Sequence, residues 1–462
     1  MRAALAYGVW VVCALFAVFI VGSGKRGRGW RLLALASLGA ASTFAFAIVN
    51  WGRATPFGDF NKAYYPAGHL VLTDPTKLYE CTVSNLCFVN IPIVAVLFVP
   101  LGALELGTAQ IVFSVVGILS LAVAAWMLVR GVPLHGESRD GFFALLALNG
   151  PLFYSARLGN LSHVMLPLVA FALLALARQR EWSGGAALAI LTVLKPPFLL
   201  FAPYLMVRGR WRALLSFGVT IASIVALSIV LFGLELNAAW WRDFAGPFSR
   251  LTLTAYNSQS MSSLVARFFY PHNLLDWEPL AGAERLNLVR HLVVAGLVLG
   301  VAVVAFLSGS PETELARWYE LSIVLVLALL VAPITWTHYY VFCLVPLAAF
   351  LATLSDQSTR INLVLATASV LISLPVVLTL PTRPLSRELY ERLLVSHYVF
   401  GALMLLAVTL YLRWQQREGA SPRTVDGGGD CQHYSRTIVK EPGRAARRTT
   451  HPEFNVTLQP SP

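Results

Sequence analysis

Charged residues are scarce in this sequence: they make up 13% of its 462 residues, about half of the roughly 25% that is usual in soluble globular domains. A soluble monomer is therefore excluded. Hydrophobic residues make up 57% of the 462, or about 263, which at ~20 per transmembrane helix allows at most about 13 spans. Few residues remain for a separate globular domain, so the composition predicts one polytopic, all-α integral membrane protein.

Several motifs that carry common chemistries are also absent. The chain has no Gly-rich phosphate loop, no HExxH zinc motif, no DxD motif of nucleotide-sugar enzymes and no internal repeat. We therefore expect neither a bound metal nor another cofactor. The net charge is +12, but no folded basic domain accompanies it, so nucleic-acid binding is not expected. In a membrane protein, basic residues mostly report topology.

Cysteine is rare, with five residues in the chain. Cys81 and Cys87 lie close together in a polar segment and are a disulfide candidate, although their spacing fits neither a CxxC redox motif nor a zinc site. Whether they are bridged stays open. Cys13 and Cys343 lie in apolar runs, where small buried hydrophobic side chains are expected.

The N-terminal segment sets the expected orientation. An apolar run from Leu5 to Val21 precedes the basic cluster Lys25 to Arg31, which the positive-inside rule makes cytoplasmic. A signal peptide carries its basic residues before the apolar run, so we expect a retained helix with its N-terminus outside. Residues 1–31 form this extra segment, and the next apolar run, Leu32 to Val49, returns the chain to the outside.

Residues 32–414 are predicted to form one transmembrane domain of about 11 to 13 segments, because apolar runs recur almost to Trp414. Two extracytoplasmic loops are expected in it, at residues 51–90 and 235–284. Residues 415–462 contain a GGG stretch, several prolines and few apolar residues. This composition predicts a disordered cytoplasmic tail.

One apolar run conflicts with simple alternation of the chain across the membrane. Arginines flank the run from Gly184 to Val207 on both sides, so both of its ends should be cytoplasmic. Lys195 lies midway and is followed by two prolines, which disfavour helix there. A helical hairpin or re-entrant pair that turns at Lys195 resolves the conflict.

Ionisable groups in or beside hydrocarbon are costly and often functional, and this chain has few of them. Asp59 follows an outward helix closely and is a candidate general base, or else a helix cap or solvated loop acid. Lys195 is the lysine inside a long apolar run; it can meet a lipid phosphate or reach toward a headgroup. His338 can hydrogen-bond a phosphate oxygen or belong to an interfacial aromatic belt.

A polar strip in the second outer loop offers further groups. Asn257, Ser260 and Arg267 lie in the segment YNSQSMSSLVARFF. They are suited to binding sugar hydroxyls, or simply to capping a helix.

Together these segments resemble the polyprenol-phosphate-mannose-dependent glycosyltransferases of the GT-C superfamily, specifically glycosyltransferase family 87. The resemblance covers roughly Leu32 to Leu354. The matching segments occur in the family's order: Asp59 with the tyrosine pair Tyr64 and Tyr65 and the later Leu78 and Tyr79, then LGNLSH, LKPPF, NSQSMSSLVAR and PITWTHYY. The resemblance implies a GT-C-type fold and a hexosyltransferase activity.

The resemblance also implies roles for individual residues. Asp59 resembles the catalytic base, and Lys195 and His338 resemble residues near the phosphate of the lipid-linked donor. The remaining predicted residues share a place in the substrate pocket: Tyr64, Tyr65, Asn160, Asn257, Ser260, Arg267 and Trp336. Two departures stand out, because Asn160 replaces the family's usual Gln and Tyr339 replaces the second of a common His pair.

The sequence therefore predicts a membrane glycosyltransferase that transfers a hexose, with mannose expected, from a polyprenyl phosphate to a hydroxyl of a lipid or glycan acceptor. The resemblance implies inversion at the anomeric carbon. We expect a multi-pass protein of a bacterial cytoplasmic membrane with its active site outside. Two other classes fit the same hydropathy: a transporter or flippase of lipid-linked glycans, and a non-catalytic subunit of an envelope complex. The clustering of acidic residues in an outer loop favours the enzyme.

Overall fold

The computed structural model describes residues 2–22, 34–35, 37–39, 41–42, 56–80, 88–250, 252–271, 274–278, 280, 284–353, 357–375 and 383–420. These residues are almost entirely helical and contain no β-strand; an isolated antiparallel bridge joins Ser258 to Trp336. The basic cluster Lys25 to Arg31, the pair Cys81 and Cys87, and residues 421–462 of the predicted tail lie outside them. The all-α prediction is confirmed.

The α-helices are α1 (Arg2–Gly22), α2 (Tyr65–Thr73), α3 (Val99–Gly102), α4 (Leu106–Gly131), α5 (Gly136–Ala147), α6 (Gly150–Leu158), α7 (Ser162–Ala177), α8 (Glu181–Leu194), α9 (Phe201–Val207), α10 (Trp211–Trp240), α11 (Gly246–Phe248), α12 (Met261–Phe269), α13 (Glu284–Leu307), α14 (Glu314–Val331), α15 (Leu344–Leu351), α16 (Thr359–Ser373), α17 (Pro384–Arg392) and α18 (His397–Ala420). Shorter 3₁₀ and π turns connect them at Phe60–Tyr64, Pro75–Tyr79, Pro92–Phe98, Pro196–Leu200, Trp241–Ala245, Thr337–Cys343 and Leu394–Ser396.

Four helical stretches are long and apolar enough to cross a membrane. They are Leu106–Gly131, Trp211–Phe248, Leu286–Leu307 and Pro384–Gln416. Seven more apolar stretches of 10–17 residues accompany them. All eleven of these stretches lie within the described ranges.

Helices α7 and α14 form the centre of the bundle. Most residues of both helices are buried, including Leu173 in α7 and Leu325 in α14. A helix that is apolar on all faces is one that other helices surround. By contrast, α4 and α10 expose large apolar side chains such as Ile118 and Val230, as lipid-facing helices do.

Arginines gather where several helices end, at a level that we name the arginine layer: Arg178, Arg208, Arg210, Arg317 and Arg413. Arg178 donates to the last carbonyl of α4, at Gly131. Arg210 and Arg317 donate to the final carbonyls of α7, at Leu176 and Ala177. A positive charge at a helix C-terminus is favourable because the unpaired carbonyls there are partly negative.

The predicted hairpin at Lys195 is confirmed. Helix α8 starts at Glu181, and the chain returns through α9 to Arg210, which forms an ion pair with Glu181 at 2.6 Å. Both ends of the segment therefore lie in the arginine layer. Lys195 is at the turn, and with 14 residues in α8 it is about 21 Å along the helix from that layer.

The two predicted outer loops contain more helix than their polarity indicated. Residues 56–80 form the π turn, α2 and a 3₁₀ turn, while α10 and the turns after it continue helix to Phe248, beyond the predicted loop start at Glu235. Contacts with the first loop stabilise the extension: the Trp240 indole donates to the carbonyl of Val89, and Phe244 packs on Tyr79. At the C-terminus, α18 continues to Ala420, past the predicted boundary at Trp414.

Smaller predictions can also be checked. Cys13 and Cys343 are free and buried, as expected. The N-terminal apolar run forms α1, whose Trp10 donates to the carbonyl of Leu148 at 2.9 Å. The apolar run near Ile91 forms only a 3₁₀ turn and α3, together Pro92–Gly102, which is too short to cross the hydrocarbon core.

Candidate active site

Asp59 lies at the N-terminus of the π turn Phe60–Tyr64, and the backbone around it is held in an unusual conformation. Phe57 has a φ of 58°, which is rare for a residue with a side chain, and its amide donates to the carbonyl of Arg157 at 2.7 Å. Gly159 has a φ of 64°, and a Cβ there would lie 2.6 Å from that of Phe60. The glycine therefore lets the end of α6 approach the Asp59 turn.

Asn160 follows this glycine and connects the candidate groups. Its Nδ2 donates to Asp59 Oδ2 at 2.7 Å and to the Tyr64 hydroxyl at 3.3 Å. Its Oδ1 accepts from the backbone amide of Ser162 at 3.1 Å and from the Ser162 hydroxyl at 3.0 Å. Since a backbone N–H can only donate, these bonds fix the orientation of the amide. Asn160 therefore presents a donor to Asp59.

Lys195 reaches the other side of the same amide. Its Nζ donates to Asn160 Oδ1 at 3.3 Å and lies 4.4 Å from the centre of the Tyr339 ring. The side chain is buried, with 6% of its surface exposed. Among the described residues it has no carboxylate within ion-pair distance, so Asp59 and Lys195 are joined through Asn160.

His338 lies beside these groups in the 3₁₀ turn Thr337–Cys343. Its ring is 6.2 Å from that of Tyr154 and 5.0 Å from that of Tyr339. It is 4% exposed, and neither ring nitrogen has a hydrogen-bond partner in the described part of the chain. Buried polar atoms without partners are uncommon and call for an explanation.

Backbone pairing brings the second outer loop to this turn. Thr337 donates to the carbonyl of Asn257 at 2.9 Å, and Ser258 is bridged to Trp336. The Asn257 side chain donates to the hydroxyl of Tyr154 at 3.2 Å, so it reaches the group next to His338. Trp336 is partly buried and packs at the edge of the core.

The charge of Asp59 responds to these neighbours. Burial raises the pKa of the Asp59 carboxyl, while the hydrogen bond from Asn160 and the positive charge of Lys195 lower it and leave a net upward shift. A raised pKa makes a carboxylate a better proton acceptor near neutral pH. The position of Asp59 is thus suited to a base.

Three predicted pocket residues lie elsewhere and make other contacts. The Tyr65 hydroxyl donates to the carbonyl of Leu104 at 2.8 Å. Ser260 caps α12 by accepting from the amide of Ser263 at 3.1 Å, as the capping alternative held. Arg267 is fully buried and donates to the carbonyls of Thr254 and Ala255 and to the Ser396 hydroxyl, so it secures the loop that carries Asn257.

Sequence reasoning missed several residues that the structure brings to the site. Tyr339 and Tyr154 line it, and Ser162 fixes the Asn160 amide. The Nδ1 atom of His163 is hydrogen-bonded to the Ser155 hydroxyl at 2.9 Å. This bond stabilises the loop between α6 and α7. Two local signals were available: the polar residues of NLSH and the aromatic pair after His338. Neither signal shows in which direction the side chains point.

These groups form a polar cluster at the ends of apolar helices. A carboxylate and an ammonium contact one amide, and an imidazole lies beside the tyrosine ring that the ammonium also contacts. Such a set can accept a proton on one side and bind an anion on the other. Within the described ranges, no three His, Cys, Asp or Glu side chains are grouped as metal ligands.

Sequence comparison places this chain in a known family. The profile of glycosyltransferase family 87 matches residues 88–333, just over half of the chain. The chain belongs to glycosyltransferase family 87. It is therefore a sugar-transferring enzyme, and with its apolar helices a multi-pass membrane protein. The matched region contains Asn160 and Lys195, while Asp59 and His338 lie beyond its two ends and are brought to it by the fold.

Two curated relatives come from Mycobacterium tuberculosis. One, named polyprenol-phosphate-mannose-dependent alpha-(1-2)-phosphatidylinositol pentamannoside mannosyltransferase, is 26% identical over 341 residues, which is 71% of this chain and 73% of the relative. The other, named polyprenol-phosphate-mannose-dependent alpha-(1-2)-phosphatidylinositol mannoside mannosyltransferase, is 23% identical over 345 residues, 70% of this chain and 76% of the relative.

A solved structure is also similar at a distance. The crystal structure of ArnT from Cupriavidus metallidurans in the apo state is 16% identical in sequence. The similarity covers 82% of this chain and 77% of that chain, with a TM-score of 0.32. The family assignment rests on the sequence profile.

Proposed function

We propose that this glycosyltransferase transfers mannose, a hexose, from a polyprenyl-phosphate donor to a hydroxyl of a lipid or glycan acceptor, with inversion at the anomeric carbon. The observation that carries the proposal is the hydrogen-bonded line from Asp59 through Asn160 to Lys195. It provides a base and a cation that are close together but not neutralised by each other. Both are needed when a hydroxyl displaces a phosphate.

In the proposed step, the acceptor oxygen attacks the anomeric carbon while Asp59 takes the hydroxyl proton. The bond between that carbon and the phosphate oxygen breaks, and the electron pair leaves with the polyprenyl phosphate. Lys195 and a ring nitrogen of His338 hydrogen-bond the departing phosphate and stabilise its growing charge. The unpartnered ring nitrogens of His338 are available for this role.

The donor and acceptor classes come from the two mycobacterial relatives, whose names give a polyprenol-phosphate-mannose donor and phosphatidylinositol-mannoside acceptors. A single direct displacement accounts for inversion. Because the leaving group is a monophosphate and Lys195 supplies a positive charge, we propose that the transfer proceeds without a metal ion. Chelation with EDTA should then leave turnover unchanged.

The proposed site faces outward across a bacterial cytoplasmic membrane. Helix α7 starts beside Asn160 and ends in the arginine layer, and its 16 residues measure about 24 Å. Basic residues mark the cytoplasmic side, so the opposite ends of the same helices, where Asp59 lies, are extracytoplasmic. The tail after α18 is then cytoplasmic.

The test is transfer from a radiolabelled polyprenyl-phosphate mannose in membranes that contain Asp59→Asn or Asp59→Ala. We expect both variants to lose at least about 100-fold in kcat with little change in donor KM, since general-base catalysis contributes ~10²–10⁴-fold. Unchanged turnover in both would contradict the assignment of the base.

Asp74→Asn is the matched control. Asp74 is an exposed acid of the same loop, and it caps the turn Pro75–Tyr79 by accepting from the Thr76 amide, which Asn can also do. Its turnover should equal that of the unmodified enzyme. Sealed vesicles of each orientation, given donor from outside only, identify the side on which the site lies.

A further inference from the structure

We propose that Tyr339 is a positioning residue whose aromatic face holds the Lys195 ammonium toward the donor phosphate without neutralising it. This inference rests on the proposed function, because it concerns the cation assigned to the phosphate. The consequence is a lysine held by neutral groups.

The contacts of Lys195 support this assignment. Its ammonium has three N–H donors, and the described residues offer it one oxygen, Asn160 Oδ1 at 3.3 Å. The second contact is the Tyr339 ring, with Nζ 4.4 Å from its centre. An ammonium within about 6 Å of a ring centre is attracted to its negative face. Two neutral partners therefore fix the cation, and donors remain for an anion.

The surroundings of Tyr339 fix the ring in place. It packs on the rings of His338 and Phe342, and it follows the backbone bond from Thr337 to the Asn257 carbonyl. The side chain is 8% exposed, so its face cannot rotate away from Lys195 without disturbing these neighbours. The ring is thus a rigid platform.

A histidine at this position would act differently. Its nitrogen could accept a hydrogen bond from the ammonium, or carry a positive charge that repels it. The tyrosine side chain stays neutral at neutral pH, and the face of its ring attracts the cation. The ring, and not the hydroxyl, is therefore the feature that the proposal requires.

The test is a double-mutant cycle measured as donor KM with short-chain polyprenyl-phosphate mannose in detergent micelles. Tyr339→Leu should raise donor KM about tenfold, equivalent to ~1.4 kcal/mol, with acceptor KM unchanged. Tyr339→Phe, which keeps the ring, should stay within about twofold. In a Lys195→Met background, Tyr339→Leu should add nothing, because its effect passes through the lysine.

The outcomes separate this inference from the proposed function. Additive losses in the double variant, or equal losses in Tyr339→Phe and Tyr339→Leu, would overturn the role of the ring. An unchanged donor KM in Lys195→Met would instead contradict the phosphate assignment itself. Tyr411→Leu, at an exposed tyrosine near the arginine layer, is the matched control. If Tyr339→Leu does not fold, Tyr339→His at the same position repeats the cycle, and we expect a loss that also vanishes with Lys195→Met.

Discussion

The buried charged groups at the two ends of the central helices differ in how they are paired. In the arginine layer, buried Glu320 binds Arg208 at 2.5 Å and Arg413 at 3.0 Å, and the Tyr204 hydroxyl also donates to it. At the other end, Asp59 and Lys195 share only a neutral amide, and the nitrogens of His338 have no partner among the described residues. At one end the buried carboxylate is directly paired with arginines, whereas at the other end the charged groups have no direct ion-pair partner among the described residues.

The difference separates stability from function. Buried charges that are fully paired tie helices together, and the Glu320 cluster joins α9, α14 and α18. Buried charges that lack partners cost stability and persist where substrate completes them. We therefore expect substitutions in the arginine layer to change folding, and substitutions near Asp59 to change turnover.

The largest expected effect is on stability at Glu320. Glu320→Ala leaves two buried guanidinium groups without their carboxylate, which should cost about 3–5 kcal/mol of unfolding free energy. The measurement is unfolding in mixed micelles, followed by circular dichroism. Activity per folded molecule should stay near that of the unmodified enzyme, because the site is at the far end of α14.

Glu314→Ala is the control for this variant. Its partner Arg178 is 41% exposed and Glu314 is 48% exposed, and exposed pairs contribute about 0–1 kcal/mol. Equal destabilisation by the two substitutions would contradict the expected stabilisation by the buried pairs of Glu320.

A smaller effect is expected at Asn160. In the proposed role as base, Asp59 acts in its deprotonated form, so we expect turnover to fall as pH drops through its raised pKa. The Asn160 hydrogen bond lowers that pKa, and Asn160→Ala removes it, so the acidic limb of kcat/KM should move to higher pH. At pH values below this limb, kcat/KM of Asn160→Ala should be at least about tenfold lower than that of the unmodified enzyme, since hydrogen bonds to charged groups are worth ~1.5–3 kcal/mol.

Asn61→Ala tests whether this shift depends on contact. Asn61 is in the same turn, but its side chain accepts from Gln110 at 2.8 Å instead of meeting Asp59. Its acidic limb should coincide with that of the unmodified enzyme. A limb that moves to lower pH in Asn160→Ala would indicate direct pairing of Asp59 with Lys195 and contradict the spacer role of the amide.

Much of the fold could be predicted because apolar runs and arginine flanks are local signals. The hairpin at Lys195 is the clearest case: flanking arginines and two prolines required both ends to lie on one side, and the Glu181–Arg210 pair agrees. Loop boundaries were less predictable. Polar and aromatic residues around Glu235 continue a helix because Trp240 reaches the first loop, a contact that local sequence does not record.

Several residues of the candidate site could be predicted from the sequence, but the contacts between them could not. Asp59, Asn160 and Lys195 are far apart in sequence, and only the fold shows that one amide joins them. Arg267 illustrates the limit: a guanidinium in a polar loop suggested substrate binding, but its donors are turned inward to backbone carbonyls. Side-chain direction follows from backbone pairing, which spacing alone does not specify.

The most direct test of the contrast between the two ends is a cryo-electron microscopy structure with a non-transferable polyprenyl-phosphate mannose analogue bound. We expect the phosphate within hydrogen-bond distance of Lys195 Nζ and a ring nitrogen of His338, with Asp59 facing the anomeric carbon from the opposite side. A phosphate bound in the arginine layer, or a sugar placed away from Asp59, would contradict it.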